Sequence, residues 1–86
     1  MDKQTIVMYT KAWCGDCHRA RQFFTDYDID FEEIDVDADE EAAAFVRSVN
    51  NGRETVPTIV FTDQSVLVEP SNKQLAHKMR IELNPW

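Results

Sequence analysis

Cys14-Gly15-Asp16-Cys17 sets two thiols three residues apart, a spacing that brings both onto one helical turn and lets them close a small disulfide ring with little backbone movement. Such a pair suits reversible two-electron oxidation. If Cys14 opens a helix, the unpaired N–H groups and the positive end of the helix dipole there favour a thiolate over a thiol. Cys17 falls one turn later on an apolar face with Ala20 and Phe24, so it is expected to be buried and to keep its proton until a mixed disulfide forms on Cys14. Cys14 is therefore the candidate attacking thiol and Cys17 the candidate resolving thiol. Lys11 is expected to add positive charge near the thiolate, with Arg19 or Arg21 acting at longer range. Asp16 opposes them; it should make Cys14 the better nucleophile and the couple more reducing than an uncharged residue would.

The same residues admit other chemistry. Cys14 to His18 matches the pattern for covalent attachment of a c-type haem. That attachment belongs to exported proteins, whereas Met1-Asp2-Lys3-Gln4 leads into a strand pattern and does not read as a signal peptide. A zinc site needs two further ligands, and only His18 and His77 are at hand, on different predicted helices. Two inert core cysteines would suit Cys17 better than Cys14, because Lys11, Trp13, Gly15 and Asp16 are not a core composition. His18 reads as a solvent-facing bystander or a proton-transfer group, and Trp13 as a substrate platform or a loop anchor. Further along, Thr55-Val56-Pro57 precedes a strand pattern, where a proline that cannot donate to a ladder belongs at the first position or in a turn. A cis Val56-Pro57 bond would leave the Val56 backbone free to pair with an extended substrate, but the local sequence alone leaves the isomer open.

The elements that must position these groups follow from periodicity. Thr5 to Tyr9 reads as a buried strand ended by the turn Thr10-Lys11. Cys17, Ala20, Phe23, Phe24 and Tyr27 recur at helical spacing, giving a first helix that ends near Asp28. Phe31 to Val36 is strand-like, yet Phe31 and Ile34 fall on opposite parities, which predicts either a bulge or a strand covered on both faces. Asp37 and Glu40 resemble a capping pair ahead of a second helix with the stripe Ala42, Phe45, Val46 and Val49, stopped by Asn50-Asn51-Gly52. Thr58 to Phe61 and Val66 to Glu69 form a hairpin across Thr62 to Ser65. Ser71 to Gln74 reads as a capping box opening a last helix with the stripe Leu75, Met79 and Leu83. The order β-α-β-α-β-β-α predicts an α/β fold, a four-stranded mixed sheet flanked by three helices, with sites outside the carboxyl ends of its parallel strands. Both cysteines belong there.

At 86 residues the chain reads as a single domain over residues 1–86. No run approaches the roughly 20 apolar residues that span a bilayer, so no membrane is expected and a cytoplasmic location is. In that reducing compartment a cysteine pair is catalytic rather than a staple. The net charge of −7 with scattered basic residues argues against nucleic acid. The acidic stretch Asp26 to Glu41 reads first as a solvated face and second as a surface for a basic partner.

With the strand, the Cys14 pair, the Val56-Pro57 step and the capped last helix in this order, nearly the whole chain resembles a glutaredoxin, and Phe45 to Phe61 with Glu69-Pro70-Ser71-Asn72 looks most like the mycoredoxin branch. The resemblance implies a thioredoxin-like fold and thiol-disulfide oxidoreductase activity, with Cys14 as nucleophile, Cys17 as resolving thiol and Pro57 as a cis-proline. By the same resemblance Lys11 holds a carboxylate of glutathione and Thr55-Val56 pairs with its backbone. The chain departs from the glutathione pattern at two places: Pro70-Ser71-Asn72-Lys73 replaces a Gly-Gly turn followed by acidic residues, and Asp16 replaces a tyrosine. The cosubstrate implied is a low-molecular-weight thiol, which could be mycothiol, bacillithiol or glutathione, with Lys11, Trp13, Thr55, Val56, Pro57, Ser71 and Asn72 on the substrate side. No tightly bound cofactor is expected, and a monomer is. The implied partners are disulfide-containing proteins and a flavoprotein or thiol-based reductase. Rival expectations are a thioredoxin-reductase-dependent redoxin serving ribonucleotide reductase and a carrier of an iron-sulfur cluster.

Overall fold

Ile6, Met8 and Thr10 are buried and alternate with the half-buried Val7 and Tyr9, the pattern of a strand with a layer packed on each face. In the computed structural model, which describes residues 5–81, this strand is β1 (Ile6–Thr10). It is followed by α1 (Gly15–Asp26), β2 (Phe31–Asp35), α2 (Glu40–Val49), β3 (Thr58–Val60), β4 (Val66–Val68) and α3 (Asn72–Met79). The four strands form one sheet in the order β2-β1-β3-β4. β1 runs parallel to β2, from Ile6 opposite Phe31 to Thr10 opposite Asp35, and antiparallel to β3, with Met8 opposite Ile59. β3 and β4 form the expected antiparallel hairpin. A parallel pair needs a crossover, and α1 supplies it.

Alternation on β1 sorts the apolar residues into two layers. One joins Ile6, Met8 and Ile59 of the sheet to Ala20, Phe23 and Phe24 of α1 and Leu75 and Ala76 of α3. The other joins Tyr9, Ile34 and Val36 to Ala42, Ala43, Phe45 and Val46 of α2, and takes in Cys17, Cys14 and Val56.

The local expectations hold with a few changes. The pairing of β2 is regular from Phe31 to Asp35 with no bulge; Phe31 packs into the α1/α3 layer and Ile34 into the α2 layer, which explains their opposite parities. Thr10 is the last residue of β1 rather than part of a turn, because its carbonyl accepts from the Val36 N–H at 3.0 Å. The cap of α2 is Asp39, whose carboxylate accepts from the Ala42 N–H at 3.2 Å; Asp37 is turned to Lys11 instead. Tyr27 sits just beyond α1 and is largely exposed, though its ring stays 4.7 Å from that of Phe23. Val49 ends α2 with its side chain exposed, and Gly52 at φ 88 lets its N–H reach back to the Arg47 carbonyl at 2.8 Å. At α3 both halves of the capping box form, Gln74 N–H to Ser71 Oγ at 3.1 Å and Ser71 N–H to Gln74 Oε1 at 2.8 Å. Leu83, placed on the stripe of this helix by its spacing, lies outside the described residues.

Candidate redox site

Cys14 is the residue that caps α1. Its backbone is extended, its N–H closes a turn onto the Lys11 carbonyl at 3.2 Å, and its Sγ accepts from the Cys17 N–H at 3.0 Å. A sulfur thus takes the place that a serine or aspartate oxygen usually fills at a helix start. The arrangement supplies that sulfur with a helix-start N–H donor at the positive end of the helix dipole. On its other side the Cys14 thiol donates to the Val56 carbonyl at 3.8 Å.

Cys17 is fully buried, one turn into α1 and packed in the α2 layer. Burial pushes its thiol well above the ordinary cysteine value, and its hydrogen bond to Cys14 adds to the shift; the Lys11 backbone N–H and the Arg21 guanidinium oppose it. Both cysteines are free thiols. One sulfur is half-exposed with a helix donor aimed at it, and the other is buried and holds its proton, which is the division of labour that thiol-disulfide exchange requires.

The cations expected to act on Cys14 are all engaged by carboxylates. Lys11 Nζ bonds Glu54 Oε1 at 2.9 Å and Asp37 Oδ1 at 3.1 Å, and these two partners, Glu54 first, raise its hold on its proton. Glu54 is gripped from its other side by Arg47 at 2.5 Å, and Arg47 also holds Glu40 at 2.6 Å. Arg19 pairs with Asp16 at 2.8 Å and reaches across to the Pro70 carbonyl and Asn72 Oδ1, each at 2.6 Å. The Asp16 carboxylate, expected to oppose these cations at Cys14, is paired with one of them within its own helix. Arg21 forms two hydrogen bonds with Glu33, at 2.8 and 2.5 Å, and Thr10 adds a third donor to that carboxylate at 3.0 Å. Exposed His18 lies 3.4 Å from Arg21 through Nδ1.

The remaining predicted residues divide. Trp13 is 74% exposed, so it is a surface platform rather than a loop anchor, with Lys11 Nζ 5.8 Å from the centre of its ring. The Val56-Pro57 bond is cis; Pro57 is fully buried and Val56 nearly so. Thr55 is held through its carbonyl, which accepts from the buried Thr58 hydroxyl at 2.7 Å, and Asn50 donates to that hydroxyl at 3.2 Å. Ser71 has its hydroxyl and N–H committed to the α3 cap, and Asn72 Oδ1 accepts from Arg19. Lys11, through its carbonyl, Cys17 and Val56 each share a hydrogen bond with Cys14, whereas Asn72 reaches this region through Arg19, which pairs with Asp16, and Ser71 is engaged in the α3 cap. Sequence reasoning missed Glu54, Asp37 and Arg47 as partners around Lys11. The Asp16 and Arg19 pair was readable from its three-residue spacing, whereas Lys11 and Glu54 lie 43 residues apart.

Comparison with known proteins decides the family. The glutaredoxin family profile matches residues 6–66. The chain belongs to the glutaredoxin family. A protein of Mycobacterium tuberculosis named as a glutaredoxin is 40% identical over 74 residues, covering 86% of this chain and 88% of its own. Mycoredoxin 1 of Corynebacterium glutamicum is 32% identical over 74 residues, covering 86% and 91%. Among solved structures, the glutaredoxin of Methanosarcina mazei superposes with a TM-score of 0.75 at 26% identity, over 87% of this chain and 77% of that one. As a glutaredoxin the protein is a thiol-disulfide oxidoreductase of thioredoxin-like fold. Among the described residues no group of three His, Cys, Asp or Glu side chains is placed to hold a metal ion, and no helix is long and apolar enough to cross a membrane.

Proposed function

We propose that this glutaredoxin, acting as a single domain in the cytoplasm, reduces mixed disulfides between proteins and a low-molecular-weight thiol, with Cys14 as nucleophile and Cys17 as resolving thiol. The observation that carries the reading is the cap of α1: Cys14 Sγ receives the Cys17 N–H at 3.0 Å and faces the Val56 carbonyl at the cis Val56-Pro57 bond. The Cys14 thiolate attacks the small-thiol sulfur of the mixed disulfide, the protein thiolate leaves and takes up a proton, and the small thiol remains on Cys14 as a disulfide. A second small thiol then releases it as the symmetrical disulfide, or Cys17 gives up its proton, attacks Cys14 and frees the small thiol, leaving a Cys14–Cys17 disulfide. Two electrons from a flavoprotein or thiol-based reductase return the pair to the dithiol. Likeness to mycoredoxin 1 supports mycothiol ahead of bacillithiol or glutathione as the natural partner. Trp13, Lys11 and Thr55 form the surface on which it rests, with the Val56 backbone beside Cys14 and buried Pro57 behind it, and with Ser71 and Asn72 at the far edge.

The test uses the Cys17→Ser variant, which stops the reaction at the intermediate, with one peptide carrying mycothiol or glutathione in disulfide linkage and intact mass as the readout. The small thiol alone on Cys14 is the expected product. Peptide on Cys14, or no adduct with either substrate, would replace this reading with that of a redoxin that acts directly on protein disulfides. Cys14→Ser should abolish turnover, and substantial residual activity would contradict the assignment of the nucleophile.

A further inference from the structure

Any small thiol joined to Cys14 must lie against the turn that leads into α1, because Cys14 is bonded back to Lys11 there and Trp13 stands 74% exposed between them. The charges on that surface are settled by the fold. The Lys11 side chain is only 14% exposed, and its ammonium carries two carboxylates of the chain itself, Glu54 and Asp37. Glu54 is also held through its second oxygen by Arg47. Counting this connected group, Lys11 and Arg47 face Asp37, Glu54 and Glu40, two positive charges against three negative, a net of −1. On the opposite flank Arg19 and Asp16 cancel, and Arg21 and Glu33 cancel on the next turn of α1. Beyond Thr55 the surface opens into a polar depression lined by Asn50, Asn51, Arg53 and Glu69, where one cation again shares the space with one carboxylate. Lys11, Arg19, Arg21 and Arg47 are all paired with carboxylates, and the chain as a whole carries −7.

We infer that Glu54, assisted by Asp37, is a specificity-determining residue that turns the Cys14 site away from small thiols bearing carboxylates and toward uncharged, hydroxyl- or amide-bearing ones. The inference rests on the proposed reaction of Cys14 with small-thiol mixed disulfides and names the class of thiol it takes. A ligand carboxylate approaching Lys11 meets two carboxylates already at ion-pair distance from the same ammonium, so it gains little attraction and incurs direct like-charge repulsion. An uncharged thiol incurs neither. It is offered the exposed Trp13 face and, beyond it, the side chains of Thr55 and Asn51.

The discriminating experiment compares two substrates whose main difference is carboxylate charge: one peptide in disulfide linkage with glutathione or with glutathione dimethyl ester. The quantity read is the ratio of kcat/KM for ester over acid. The wild-type ratio should be roughly tenfold and should shrink as salt rises from about 0.01 M to about 1 M. Glu54→Gln, which keeps the shape and removes the charge, should lower the ratio severalfold. Asp37→Asn, a change at a half-exposed side chain, should give an independent reading in the same direction. Asp26→Asn, at the far end of α1, alters the net charge by the same amount and should leave the ratio where it was. A wild-type ratio near one that neither Glu54→Gln nor Asp37→Asn changes would overturn the inference while leaving the reaction at Cys14 intact. An equal effect from Asp26→Asn would overturn it in favour of net charge. Failure of the wild-type protein to turn over either substrate would remove the proposed reaction and this inference with it.

Discussion

The two apolar layers on either side of the sheet are built from different materials. Between the sheet and α1 with α3, four large side chains are fully buried: Met8, Phe24, Ile59 and Leu75. Under α2 the buried side chains are small, with Ala42, Ala43, Val46 and Val56 closing around Cys17, and this layer ends at the half-exposed Cys14. Buried apolar area scales with side-chain size, so most of the hydrophobic stabilisation lies in the α1/α3 layer. The α2 layer has another task, which is to hold one thiol out of water directly beneath another that is reachable. α1 belongs to both: its Phe23 and Phe24 anchor it in the large layer and thereby fix where its first turn presents the sulfurs.

The largest expected effect separates the layers outright. Phe24→Ala leaves a cavity among Met8, Ile59 and Phe31 and should destabilise the protein by about 3–5 kcal/mol, read from the midpoint of urea unfolding. The fraction that remains folded should retain its kcat, because no group at the sulfurs has changed. A comparable loss of kcat in the folded fraction would show that the first turn of α1 is not held by this layer alone.

A smaller effect isolates the α2 layer through pH. Burial and the hydrogen bond to Cys14 raise the Cys17 thiol above its ordinary value, so the folded chain keeps a proton that the unfolded chain releases. The unfolded state then binds fewer protons, and stability must fall as pH rises past about 8.5 toward the folded-state value, after being fully present below it. Urea midpoints measured between about pH 7 and about pH 10 should decline. Cys17→Ala should decline less over the same range, since it lacks the group. Parallel declines would mean that Cys17 is not the buried acid of this layer.

Which parts of this arrangement were legible in the sequence follows from how each is encoded. The helical repeat of Cys17, Ala20, Phe23 and Phe24 and the Ser71–Gln74 box are local patterns, and they read directly into α1 and the start of α3. The Cys14 cap was legible for the same reason. Choosing Asp37 over Asp39 as the cap of α2 failed because several carboxylates stand within reach of that helix start, and it is the distant Lys11 that draws Asp37 away. Opposite parity of Phe31 and Ile34 made sense only once β2 was placed at the edge with a layer on each face. The ion pairs around Lys11 were invisible, since topology alone brings Glu54 to a residue 43 positions earlier.

The smallest expected effect concerns the polar seam along the α1/α3 layer, where Glu33 on β2 takes two hydrogen bonds from Arg21 and one from Thr10. Arg21 first, and Thr10 after it, hold the Glu33 carboxyl below the usual carboxylate range against the opposing effect of burial. A carboxylate so depressed contributes stability that is present above the unfolded value near pH 4.5 and is lost as pH falls through the folded one. Both side chains are about one-third exposed, so solvent screens the pair and Glu33→Gln should cost no more than about 1 kcal/mol at neutral pH, with the difference from wild type closing in acid. A loss as large as that of Phe24→Ala would mean that the edge strand is held to α1 by charge rather than by Phe31 packing on Phe24, and the contrast between an apolar layer that carries stability and a small-residue layer that carries chemistry would have to be redrawn around the ion pair.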